Sequence, residues 1–270
     1  MRRLLQLACI LVAAVPAIAG TLPVSACGQS VPAGTTGQLT SDLVCTGGTA
    51  VSLGRRANLD LAGHTITVVD PGSGVTGAVG CEGACRVFSS AAQPGRLVGP
   101  GQGLALSRGV DGAARVEDVE IDGFDYGISA GRLQVRRVVV TGCGKFGIYA
   151  ETLAATDVTA DANLNGIAVN RRVRATALRA RDNIETGVDG GRSFVGRDVT
   201  VTGNGIWGID TSAGDGGTGP IVVHGGTVTG NGVDLVSGKR PRLTDTACDH
   251  SLHRDDQGIE SGSWSVCALD

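Results

Sequence analysis

From residue 124 onward the chain repeats itself. FDYGISA, GKFGIYA, NLNGIAV, IETGVDG, GIWGIDT and GNGVDL recur in order, each with a glycine followed by Ile or Val. The glycines, Gly127, Gly147, Gly166, Gly187, Gly208 and Gly232, lie 19 to 24 residues apart. That period is too short for ankyrin, tetratricopeptide or propeller units, and the Leu/Asn signature of leucine-rich repeats is missing. A unit this small cannot bury its own apolar face, so it must stack on its neighbours. A β-helix coil is what remains.

A second strand precedes each glycine by about eight residues, in DVEID, RVVVT, DVTAD, ALRAR and DVTVT. Its alternation of apolar and polar residues marks a strand with one buried face. Aligned, the coils put Val119, Val138, Val158, Leu178 and Val199 in one inward column, and Ile121, Val140, Ala160, Ala180 and Val201 in the next. Ile128, Ile148, Ile167, Val188, Ile209 and Val233 form a third, after the glycine. A further column reads Phe124, Cys143, Asn163, Asn183, Asn204 and Asn231, which predicts an asparagine ladder at a turn, with Cys143 as a buried rung. The expected fold is all-β, a single-stranded right-handed parallel β-helix, with a leader at 1–19, an N-terminal cap and first strands at 20–50, the solenoid at 51–245 and a C-terminal cap at 246–270.

The leader rests on Arg2 and Arg3, an apolar run from Leu4 to about Ala17, and the small-x-small site Ala17-Ile18-Ala19. That run is too short to span a bilayer and no later one is long enough. A secreted, extracellular or periplasmic monomer is expected. Once Cys9 leaves with the leader, seven cysteines remain for an oxidising compartment. Proximity suggests Cys27 with Cys45, Cys81 with Cys85 and Cys248 with Cys267, among the fifteen connectivities that six cysteines allow. The net charge is −3 and the basic residues are scattered among acids along the chain, which argues against nucleic acid.

The segment DLVCTGGTAVSLGRRANLDLAGHTI, and LDLAGHTI from Leu59 to Ile66 in particular, resembles the opening of secreted bacterial pectin-lyase-like β-helix proteins. TACDHS from Thr246 and SWSVCALD from Ser263 resemble their closing segment. The resemblance implies cysteine-linked caps and a functional surface outside the stacked strands. It does not extend to polygalacturonase chemistry, because neither an NTD nor an RIK segment is present.

On that outer surface, Ser129, Tyr149, Ala168, Asp189, Asp210 and Asp234 are expected to align. Asp189, Asp210 and Asp234 in consecutive coils would lie about 5 Å apart, close enough to raise a carboxylate pKa or to recruit calcium. Arg132, Arg171 and Arg192 follow the inward residues by four positions. Asp189, Asp210 and Arg192 are therefore the candidates for catalysis: an arginine base beside a cation in a lyase, or two carboxyls in a hydrolase. His250 and His253, near Asp255 and Asp256, match no stringent metal motif. With no catalytic signature, the sequence favours a non-catalytic extracellular scaffold or carbohydrate-binding surface. The alternative is a calcium-assisted lyase or glycoside hydrolase acting on an acidic polysaccharide.

Overall fold

A computed structural model describes residues 21–69, 76–99, 107–112, 114–212, 219–255 and 257–270. The expected leader lies outside them. Within them the chain contains no helix and forms 22 strands joined by parallel pairing, which is a parallel β-helix. Stacking begins where Thr21–Val24 lies on Thr36–Leu39 and ends where Val233–Ser237 lies on Ser251–His253.

The three longest strands, Tyr126–Thr141, Phe146–Asp161 and Asn165–Arg181, each run through most of one coil. Each is bent rather than straight, because one residue per coil takes a left-handed conformation between the alternating segment at residues 132–136, or its equivalent, and the Val-rich segment that follows. Those corner residues are Asp118, Arg137, Asp157, Ala177 and Asp198. Aspartate tolerates this backbone better than most side chains, which accounts for three of the five.

The inward columns form as the alternation requires. Val119, Val138, Val158, Leu178 and Val199 stack in register and are all buried. Disulfides join Cys27 to Cys45, Cys81 to Cys85 and Cys248 to Cys267. Cys143 is free and buried, and burial pushes its thiol up to about 12, so it packs rather than reacts.

The asparagine ladder is continuous. Asn163 Nδ2 donates to Asn183 Oδ1 at 3.2 Å, Asn183 Nδ2 to Asn204 Oδ1 at 2.8 Å, and Asn204 Nδ2 to Asn231 Oδ1 at 2.7 Å. Each amide also donates to a carbonyl of the preceding coil, as Asn183 does to Ala160 O at 3.0 Å. The repeated glycine is the counterpart of this ladder. A Cβ on Gly166 would come within 2.5 Å of Gly187 O and 2.9 Å of Asn183 Nδ2, so no other residue fits beside the amides.

The last coil departs from the sequence alignment. Ile209 is paired with Leu235, not Val233, and Val233 sits on Trp207. Gly232 belongs to the turn, where its N–H reaches Asn204 O just as the Gly205 N–H reaches Asn183 O. Two glycines, Gly230 and Gly232, flank Asn231, and spacing alone takes the turn glycine for the column glycine. Asp234 therefore occupies the glycine position, not the outward column with Asp189 and Asp210. Its carboxylate is buried and ends the ladder: Oδ1 accepts from Asn231 Nδ2 at 2.8 Å, and Oδ2 from the N–H groups of Asp249 and His250 at 2.7 and 3.0 Å.

Replacing Asn183 with Ala strands the N–H of Asn163 and the carbonyl of Ala160, and leaves the Asn163 amide only its bond to Val140 O. A loss of about 3 kcal/mol is expected, measured as a shift in the denaturant midpoint; a shift below about 0.5 kcal/mol would show that the ladder is not the register lock.

Candidate functional site: an arginine-walled trough

Winding brings arginines that are distant in sequence onto one outer face. On the segment before each left-handed corner, Arg132, Thr152 and Arg172 stack in one outward column, and Arg115, Gln134, Ala154 and Arg174 in the next. The coil at 152–156 carries small side chains, Thr152, Ala154 and Thr156, while the coils on either side carry arginines. The result is an open trough of about 880 Å³, floored by Thr152, Leu153 and Ala154 and walled by Arg115, Arg132, Arg171, Arg172, Arg174 and Arg192.

The strand Asn165–Arg181 contributes three of these arginines because its register shifts by one residue against the coil above, between Ala150 and Thr152. The extra residue is a bulge that adds Arg171 beside Arg172 at the lip. Several arginines elsewhere are matched to carboxylates. Arg137 pairs with Asp118 and Arg181 with Asp161. At the head of the trough, the buried Glu117 carboxylate holds both Arg86 and Arg115. Burial alone would favour its neutral form, but these two guanidinium groups outweigh it and hold Glu117 below the usual carboxylate range. Arg132, Arg171, Arg172 and Arg174 are exposed and have no carboxylate partner among the described residues. Four guanidinium groups thus surround an open floor, and each is a fork of donors whose geometry matches carboxylate or phosphate oxygens.

Arg132, Arg171 and Arg192 were legible from their spacing. Arg115, Arg172 and Arg174 were not singled out, although the segment NRRVRATALRAR carries arginine at alternate outward positions around Val173 and Ala175.

The aspartates lie on the preceding face. Asp189 stacks between Ala168 and Asp210. Asp189 Oδ1 accepts the Gly191 N–H at 2.9 Å. Asp210 is buried beneath the C-terminal segment: its Oδ1 accepts from Ser212 N and Oγ, and its Oδ2 lies 3.5 Å from Arg254 Nη1. The Arg254 guanidinium also lies over the Trp207 ring, 4.4 Å from its centroid, and pairs with Glu260 at 2.9 Å. Asp234 is withdrawn into the ladder, and no three His, Cys, Asp or Glu side chains gather around a metal position among the described residues. Two carboxylates, one of them already paired, do not make the six-to-eight-oxygen shell calcium takes, so the three-aspartate site is corrected to an acid pair. His253 packs on Trp264 with ring centroids 4.3 Å apart and bonds to Ser261, while Asp256 lies outside the described residues. Most of the loop Ser212–Pro220 lies outside them as well.

Burial, assisted by the charge of Asp210 and opposed by the Gly191 N–H, raises the Asp189 carboxyl to about 7. Desolvation likewise raises Asp210, against the Ser212 bonds and Arg254. Between about pH 4 and 7 the native state therefore holds a proton at Asp189 that the unfolded chain has lost, and stability falls as pH rises across that window. Asp189→Asn keeps the oxygen facing Gly191 and removes the buried charge. It is expected to stabilise the protein at pH 8 by on the order of 2 kcal/mol and hardly at pH 4. Denaturant titrations at the two pH values measure this, and equal effects at both would contradict the assignment.

No family model, no curated protein and no solved structure matches this chain.

Proposed function

We propose that this chain is a secreted, non-catalytic β-helix protein of the pectin-lyase-like kind that binds an acidic polysaccharide along the arginine trough. The observation behind it is the set Arg132, Arg171, Arg172 and Arg174, which lack carboxylate partners around a floor of small side chains. An extended anionic chain supplies the missing charge at intervals, and Thr152 and Gln134 offer hydrogen bonds to its hydroxyls. The trough lining contains no aromatic residue, so it lacks the stacking surface by which proteins hold single-stranded nucleic acid. Three disulfides suit export to an oxidising compartment.

Catalysis is the weaker reading because its parts are separated. Neither Asp189 nor Asp210 lines the trough, and no described carboxylate there except Glu117, already shared by two arginines, stands near the floor.

Polygalacturonate and alginate, immobilised, are the probes. The wild-type protein is expected to bind with an affinity that falls steeply with salt, as ion release requires. Arg132→Ala/Arg172→Ala/Arg174→Ala removes three exposed contacts worth about 0.5–1 kcal/mol each, a loss of roughly ten- to a hundredfold. Unchanged affinity in this variant, or equally tight binding to single-stranded DNA, would overturn the assignment. Neither reducing ends nor unsaturated products should appear on incubation; their release would move the protein to the lyases or hydrolases.

A further inference from the structure

Only eight residues of the chain are aromatic, and three of them gather on one outer face. Phe124 and Phe194, by contrast, are fully buried in the core. Tyr126 and Phe146 occupy adjacent rungs of one outward column, and Tyr149 stands beside them in the next. Their ring centroids lie 5.6, 6.2 and 5.5 Å apart, and all three side chains are half-buried, so the cluster leaves ring surface at the solvent boundary. Below it, Ala168 continues the column as a low floor.

The polar groups around these rings differ from those of the trough. Asn170 Nδ2 donates to Tyr149 Oη at 3.3 Å and to Glu151 Oε1 at 2.8 Å, both at the edge of the cluster. Asn165 Nδ2, one rung below Phe146, donates to Glu185 Oε2 at 2.9 Å. The ammonium of Lys145 lies 5.6 Å from the Tyr126 ring centre. Glu151 and Glu185 thus give this face carboxylates beside the single Lys145 ammonium, where the trough is walled by arginines.

We propose that the face carrying Tyr126, Phe146 and Tyr149 is a second binding site, for the apolar faces of uncharged pyranose rings. The C–H-bearing face of such a sugar matches half-exposed rings, and its hydroxyls, which donate and accept, match amides that do both and carboxylates that accept. Charge separates the two surfaces: the trough takes acidic sugars and this face takes neutral ones. The protein then grips a glycan with both, or bridges two glycans.

Calorimetric titration with cellohexaose, xylohexaose, mannohexaose and maltohexaose, each uncharged, tests this on the full protein. At least one is expected to bind. Tyr149→Ala should weaken it about tenfold, the scale of one lost ring contact, and Tyr149→Phe, which keeps the ring, should retain most of it. Tyr126→Ala, on the neighbouring rung, gives the same reading if Tyr149→Ala does not fold. Binding of polygalacturonate should be unchanged in these variants, and binding of the neutral sugar unchanged in the triple arginine variant, so that either site can fail without the other. The proposal is overturned if none of the four sugars binds, if Tyr149→Ala and Tyr126→Ala bind as wild type, or if the arginine variant loses the neutral sugar equally.

Discussion

Each ladder amide serves two coils at once: its oxygen accepts the N–H and amide of the rung above, and its nitrogen donates to the rung below and to a core carbonyl. The arrangement leaves no room for a Cβ alongside, and that is why a glycine recurs beside each amide, at Gly147, Gly166, Gly187 and Gly208. It also fixes the register of each coil on the next. A slip by one residue would turn the Val and Ile columns outward and put the polar alternates inside. Everything on the outer faces inherits its position from this lock.

The ladder has two different ends. At the upper end Cys143 fills a rung without continuing the amide chain, and its own N–H is held by Asn163 Oδ1 at 2.9 Å. At the lower end the charged oxygens of Asp234 accept the last amide and two N–H groups of the closing segment. A carboxylate suits that place because it accepts only, whereas another asparagine would present donors to donors. Asp234, which spacing alone aligns with Asp189 and Asp210, is part of how the solenoid stops.

The outer faces show how one scaffold separates opposite charges. The trough sits where a coil of small residues lies between coils bearing arginine, and the acid pair and the rings sit a few residues earlier in their coils. Arg254 crosses from the closing segment to Asp210, so the deeper acid of the pair faces the cap's guanidinium while Asp189 remains at the boundary. Adjacent rungs about 4.8 Å apart let a column of like side chains form a linear site, which suits a polymeric ligand better than a small one.

Periodicity in the sequence by itself determined the all-β stacked fold, the inward columns, the ladder and the buried Cys143, because each follows from alternation and from a repeat that recurs at fixed intervals. It also brought Asp189 next to Asp210. It misplaced Asp234, since two glycines flank Asn231 and only hydrogen bonding tells the turn glycine from the column position. The trough escaped for a different reason. Arg115, Arg132 and the pair Arg172 and Arg174 lie far apart along the chain, and whether a given arginine is matched to an acid depends largely on which residue lies one coil away. That distance is about twenty residues in sequence and about 5 Å in space, so only the tertiary structure decided which charges were spent on partners and which were left facing an open floor.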